Sequence, residues 1–202
     1  LLYTRNSKEV NMNIVLASGS PRRQELLKRI TGNFQISVSD FDESSIEFKG
    51  DIDNYVCELA EGKARDVLHK FQGENIIIGC DTIVYLDGKI LGKPVNNEDA
   101  ARMLRSLSGR THQVYSGIVL INTKTDKIIR KSVCTKVKFT ELSDDMILKY
   151  VESGQSYGKA GAYGIQDDGA IFVESINGCY YNVVGFSLNT VFLLLREMGV
   201  NL

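Results

Sequence analysis

The run Ile76-Ile77-Ile78-Gly79-Cys80-Asp81-Thr82-Ile83-Val84 constrains this chain more than any other segment. It is almost continuously apolar and lies within a predicted strand from Asn75 to Tyr85. A strand without polar alternation has both faces covered, which is the habit of α/β proteins. Asp81 breaks the pattern. An unpaired carboxylate in an apolar interior is costly, and a strand end that opens into a cleft beside a metal or a cation relieves that cost. Such a carboxylate can hold Mg²⁺ or take a proton from an attacking water. A structural aspartate bonded to backbone amides satisfies the same pattern.

The flanking segments agree with an α/β reading. Asn13 to Ala17 is a short apolar strand, Ser18-Gly19-Ser20-Pro21 a turn, and Pro21 to Ile30 a helix with Ser20 as N-cap. Phe34 to Ser39 reads as a strand and Asp40 to Asp51 as an acidic loop. A helix from about Asn54 to Phe71 carries the apolar stripe Val56, Leu59, Ala60, Ala64, Val67, Leu68 and Phe71. Asp87-Gly88 marks a hairpin into Lys89 to Leu91, and Asn97 caps a helix from Glu98 to about Leu107. Val114 to Asn122 and Lys127 to Phe139 form a hairpin, and Ser143 caps a helix to about Val151. A glycine-bearing loop spans Gly154 to Asp168. Ala170 to Ser175 and Tyr180 to Val184 read as strands joined through Asn177-Gly178, and a last helix runs from Leu188 to Met198. Leu1 to Met12 is read as an extension, and residues 13–202 as one domain.

Further local rules fail in informative places. The helix that opens at Pro21 carries Arg22 and Arg23 in its first turn, where the helix dipole disfavours cations by about 0.3–1 kcal/mol each. A bound anion reverses that penalty. Free backbone N–H groups, the hydroxyls of Ser18 and Ser20 and two guanidinium forks make a phosphate cradle; a capped helix with solvated arginines is the plainer alternative. Lys63 falls on the apolar stripe of its helix. It reaches either into a cleft or, as periodicity alone favours, along the helix surface to water. Gly62 beside it hints at close packing. The loop Lys159-Ala160-Gly161-Ala162-Tyr163-Gly164-Ile165-Gln166 allows close backbone approach to a ligand, and Gln166 offers the donor and acceptor that suit a pyrimidine edge. Glu43 is a candidate second metal carboxylate in the acidic loop, Lys93 a weaker cation, and His112 a structural residue.

Composition narrows the classes. A formal net charge of -1 removes nucleic acid as the default partner, while leaving room for a small anion. The cysteines Cys57, Cys80, Cys134 and Cys179 form no CxxC pair, which argues against zinc and redox motifs and fits a reducing cytoplasm. With only two histidines, any metal is held by oxygen, which favours Mg²⁺ or Mn²⁺. No apolar run reaches transmembrane length.

Taken in order, several motifs resemble the Maf family of nucleotide pyrophosphatases. They are Leu16-Ala17-Ser18-Gly19-Ser20-Pro21-Arg22-Arg23-Gln24-Glu25-Leu26-Leu27, Leu59-Ala60 with Lys63-Ala64, Gly79-Cys80-Asp81-Thr82, Gly92-Lys93-Pro94, Leu107-Ser108-Gly109-Arg110-Thr111-His112 and the loop from Lys159 to Gln166. The likeness runs from about Asn13 to Gly199. It implies an α/β fold with a mixed sheet in two lobes around a deep cleft, like the inosine triphosphate pyrophosphatases. It also implies a divalent metal, Mg²⁺ or Mn²⁺, and a homodimer. The family's proton acceptor falls on Asp81, its phosphate contacts on Ser18, Arg22, Arg23, Lys63 and Lys93, and its loop acid on Glu43. Asp81 and Glu43 are the implied metal ligands. Arg22, Thr82 and Gln166 match the selectivity positions of members acting on dTTP and UTP. Gly158 stands where the family often has Asp, Asp167 where Gly is common, and Cys80 where a small residue is usual. The expected activity is hydrolysis of dTTP or UTP to the monophosphate and pyrophosphate. A non-catalytic nucleotide-binding regulator of cell division would share the phosphate cradle without needing Asp81.

Overall fold

The isoleucine-rich strand is central to a seven-stranded mixed sheet in the computed structural model, which describes residues 12–202. The extension expected at Leu1 to Met12 falls, up to residue 11, outside the described residues. In chain order the elements are β1 (Asn13–Leu16), α1 (Pro21–Lys28), β2 (Gln35–Ile36), α2 (Ile52–Leu68), β3 (Asn75–Leu86), β4 (Lys89–Leu91), α3 (Asn97–Leu107), β5 (Thr111–Asn122), β6 (Ile128–Phe139), α4 (Asp144–Glu152), β7 (Val173–Asn177), α5 (Tyr180–Val184) and α6 (Leu188–Glu197). The strand order is β2-β1-β3-β5-β6-β7, with β4 paired to β3. β1 runs parallel to β2 and β3, and the other pairings are antiparallel.

Burial follows the alternation of β3. Ile76, Ile78 and Cys80 enter a large core with Leu26 and Leu27 of α1, Leu104 and Leu107 of α3, Ile147 of α4 and Val191 and Leu195 of α6. Ile77, on the opposite face, packs with Val15, Val119 and Ile121 under Ala60, Ala64 and Val67 of α2. Both faces are therefore covered, as the apolar run requires.

Two glycines set how closely α2 lies on the sheet. A Cβ on Gly79 would stand 2.1 Å from the Ala60 carbonyl oxygen, and one on Gly117 would stand 2.1 Å from that of Val56. Gly117 pairs across the sheet with Asp81. The helix backbone thus rests directly on the strands beside the buried acid, and Lys63 of α2 is carried over it.

Several local expectations are corrected. Tyr180 to Val184 is the helix α5, not a strand. The fully buried Asn182 donates its amide to the carbonyls of Val114 and Val133 and to the Thr135 hydroxyl, which fastens the segment across β5 and β6. Gly185, at φ 114°, then ends the helix. The strand expected from Ala170 starts only at Val173, after a 3-10 turn at Asp168–Phe172. The strand expected over Phe34 to Ser39 shrinks to Gln35–Ile36. The cap of α3 is Asn96, whose side chain accepts from the Asp99 amide. Ser20 occupies the N-cap of α1 without a side-chain capping bond.

Candidate active site

The tip of α1 and the acid on β3 open on one pocket of about 490 Å³, a volume typical of small-molecule clefts. Ser18, Ser20, Arg22 and Arg23 line it from the β1–α1 turn, Asp81 and Thr82 from β3 and Lys93 from the segment after β4. Glu43 and Lys63 line it as well, as does Gln166 from the loop after α4. Every residue singled out from sequence for catalysis or binding is at this pocket.

The acids and lysines form a connected group. Lys63 donates to the Asp81 Oδ1 oxygen in a close ion pair, and its Nζ stands 2.8 Å from Glu43 Oε1. Lys93 lies 3.9 Å from the same Glu43 oxygen. Lys63 therefore turns inward rather than reaching to solvent. Burial alone would lower its pKa, but the Asp81 charge and the bonds to Asp81 and Glu43 raise it above the ordinary lysine value. Burial likewise works against the Glu43 anion, and the bond and charge of Lys63, aided by Lys93 and Arg23, outweigh it and hold the carboxyl below the usual range. The ring of Phe41 fills the space where a Cβ on Gly62 would sit. That contact docks the acidic loop on α2 and explains the glycine next to Lys63. Asp42 caps the 3-10 turn at Glu43–Ser45 by accepting from the Ser44 amide.

The two arginines have separate lives. Arg23 donates from Nε to the Gly185 carbonyl at 2.9 Å, from Nη1 to the Cys80 carbonyl at 2.7 Å and to the Ser18 hydroxyl, and from Nη2 to the Thr82 hydroxyl at 3.0 Å. The last β1 pairing on β3 is Leu16 with Ile78, so the Cys80 carbonyl lies beyond the reach of β1 and Arg23 takes it instead. Thr82 Oγ1 also lies 2.9 Å from the buried Ser116 hydroxyl, so its oxygen is fully engaged within the protein. Arg22, half-buried in the same turn, makes no hydrogen bond or ion pair among the described residues. Burial, then the neighbouring Arg23 charge, lowers its pKa. Two guanidiniums at a helix N-terminus with one of them unpartnered is an arrangement that an anion completes.

A further part of the lining comes from the glycine-bearing loop, in which sequence reading names Gln166 as a binding residue. Tyr157, Lys159 and Asp167 line the pocket there beside Gln166, and Lys159 Nζ pairs with Asp167 Oδ2 at 2.9 Å. Gly185 and Val184 also line it. They were missed because α5 was expected to be a strand, although the glycine at its end was a visible stop signal. His112 stands apart from the site. It is 1% exposed, bonded through Nε2 to the Tyr163 hydroxyl at 2.8 Å, and packed edge-to-face on Phe139 and Tyr163.

No group of three or more His, Cys, Asp or Glu side chains converges among the described residues. Glu43 and Asp81 are two oxygen donors already sharing one cation, the Lys63 ammonium. That set fits a hard divalent ion that takes one or two carboxylates and completes its shell with phosphate oxygens and water.

A family described as Maf-like protein matches residues 13–198. A dTTP/UTP pyrophosphatase of Clostridium botulinum (strain Okra / Type B1) is 59% identical over 192 residues, covering 94% of this chain and 99% of the relative. One from Clostridium novyi is 53% identical over 191 residues, covering 95% and 100%. Among solved structures, the Staphylococcus aureus Ham1 protein matches with a TM-score of 0.51 at 14% identity, over 92% of this chain and 99% of that one, a likeness of fold. With the family matched across nearly the whole domain and its relatives so close in sequence, the chain belongs to the Maf-like protein family.

Proposed function

We propose that this Maf-like chain hydrolyses dTTP and UTP to the nucleoside monophosphate and pyrophosphate. The observation that carries the reading is the common pocket of the arginine-bearing tip of α1 and the buried Asp81. Relatives named dTTP/UTP pyrophosphatase, at 53–59% identity over nearly their whole length, support the same activity.

The side chains divide the work by position. Asp81 has Oδ1 held by Lys63, which leaves Oδ2 to orient the attacking water and accept its proton. The water oxygen bonds to the α-phosphorus, the bond to the bridging oxygen breaks, and pyrophosphate leaves with the electron pair. Arg22, Lys63 and Lys93 meet the charge that moves onto the leaving group. Arg23 contributes charge and a single remaining donor, because four of its five N–H groups are bound to protein. Ser18 and Ser20 supply hydroxyls at the same helix tip, and Gln166 completes the selectivity set with Thr82, which acts by holding Arg23. Mg²⁺ or Mn²⁺, held by Glu43 and Asp81, would supply Lewis-acid neutralisation of the phosphates. Fixed charges of this kind need no reorganisation during phosphoryl-type transfer, where positioning and electrostatics carry most of the catalysis.

Pyrophosphate release, measured over a panel of triphosphates with each metal, tests the activity. Asp81→Asn keeps the shape of the site but removes the proton acceptor. It should abolish turnover while thermal melting and far-UV circular dichroism stay near wild type; wild-type rates in that variant would overturn the assignment. The homodimer implied by the family resemblance is testable by sedimentation. A cytoplasmic setting is supported by four free cysteines among the described residues, and no described helix is long and apolar enough to cross a membrane.

A further inference from the structure

Glu43 stands on the segment between β2 and α2, whose regular structure is a single 3-10 turn at Glu43–Ser45. Its carboxylate nevertheless meets Lys63 and Lys93 together. A segment with so few ladder bonds moves easily unless side chains hold it. The fixings lie on α2. Asp66 Oδ2 accepts from the Ser39 hydroxyl at 3.0 Å and from the Asp40 amide at 2.9 Å. The same Ser39 hydroxyl accepts from the Phe41 amide at 3.1 Å. The Phe41 ring then enters a notch at Gly62, where its tip occupies the place of a Cβ. Farther on, Ile46 and Phe48 pack beside Val56 and Leu59, and Asp51 caps the helix by accepting from the Asn54 amide. The segment thus runs antiparallel along α2 as a strap, from Asp66 back to Asp51.

The placing of these contacts gives them meaning. Gly62 and Asp66 are one helical turn apart on the same face of α2, and Lys63 adjoins Gly62. The strap is pinned at Ser39, Asp40 and Phe41, immediately before Glu43. One helix therefore carries both the lysine and the fixings that set the acid against it. Asp66 is not among the residues lining the pocket, and its hydrogen bonds go to the strap. Gly62 does nothing for the helix, where alanine is the better former; its missing side chain makes room for Phe41.

We propose that Asp66 and Gly62 are positioning residues for hydrolysis, fixing the strap so that Glu43 stands between Lys63 and Lys93 beside Asp81. The inference rests on the pyrophosphatase reading of the pocket and extends it to two residues that act through Glu43.

The test measures dTTP turnover and amide hydrogen exchange in the full chain. Asp66→Ala frees the strap, and Gly62→Ala expels the Phe41 ring. Each should lower kcat about tenfold through lost positioning. Asp66→Asn keeps an oxygen that accepts both bonds, and its kcat should stay within about twofold of wild type. In a Glu43→Gln background, adding Asp66→Ala or Gly62→Ala should change kcat by less than about twofold, because effects that pass through one side chain are not additive. The amides of Asp40 and Phe41 should exchange faster in Asp66→Ala, while those of β3 keep their wild-type rates. Gly62→Ala reaches the strap by a separate contact, so the outcome does not hang on one variant folding. Wild-type kcat in both alanine variants overturns the proposal, as does equal impairment of Asp66→Asn and Asp66→Ala. A full tenfold loss in the Glu43→Gln background also overturns it, because the damage then bypasses Glu43. Unchanged exchange at Asp40 and Phe41 in Asp66→Ala refutes the strap whatever the turnover. The hydrolytic reading fails separately, when wild type releases no pyrophosphate from dTTP or UTP.

Discussion

Arg22 and Arg23 are neighbours in sequence with opposite duties. Arg23 closes the gap left where β1 ends, and its loss strands the carbonyls of Cys80 and Gly185. Unmade bonds to buried acceptors cost about 1–3 kcal/mol each. Arg23→Ala should therefore lower stability by about 3 kcal/mol, roughly 6–12 °C in Tm for a chain of this size, seen in thermal melts without substrate. Arg22 has no hydrogen-bond or ion-pair partner to lose among the described residues. Arg22→Ala should leave Tm near wild type while raising the KM for dTTP about tenfold to hundredfold, the usual worth of charge-assisted bonds to an anion. A stability loss in Arg22→Ala equal to that of Arg23→Ala would sink this division. Neighbouring arginines in one motif look alike in the sequence; the distinction arises from which guanidinium faces the middle of β3, past the end of β1.

At the scale of elements, the close seat of α2 on the sheet decides the site. Val56, Leu59, Ala60, Ala64 and Val67 are buried, and each larger aliphatic side chain among them contributes about 1.5–3 kcal/mol. The position of Lys63, however, depends on the missing side chains at Gly79 and Gly117. Gly117→Ala would drive a methyl group against the Val56 carbonyl. The helix must move away, with an overpacking cost of about 1–3 kcal/mol. Turnover should fall by more than tenfold as Lys63 withdraws from Asp81, measured as kcat for dTTP below the variant's melting temperature. Unchanged kcat would mean that the lysine reaches the acid whatever the helix height.

At the scale of the whole molecule, acid sensitivity is written into the core. His112 sits among aromatic rings, and burial pushes its pKa down to about 4 from the ordinary 6.5. The neutral ring is favoured in the folded state, and the unfolded chain binds the extra proton. The associated stability is whole above pH 6.5 and is lost progressively as the pH falls toward 4, by about 3 kcal/mol. A His112→Phe/Tyr163→Phe double variant preserves the ring packing and leaves no orphan hydroxyl. Its Tm should change less between pH 6.5 and 5 than that of wild type, and an equal slope would assign the acid sensitivity to other groups.

Much of the fold was legible in the residues alone. The unbroken apolar run of β3 demanded cover on both faces, and α2 and the large core provide it. The periodicity of α2 placed Lys63 on the apolar stripe while favouring its escape to water, and the out-of-place arginines of α1 left a bound anion beside a plain capped helix. Local pattern failed at α5, because burial of Asn182 across two strands is a long-range bond that no five-residue window contains. It also could not decide whether Lys63 reached water or a cleft. Side-chain chemistry and period are properties of the sequence and depend on near neighbours. Whether a cation meets an acid, or a carboxylate meets a lysine across a loop, depends on chain segments far apart in number, and only packing in three dimensions brings those together.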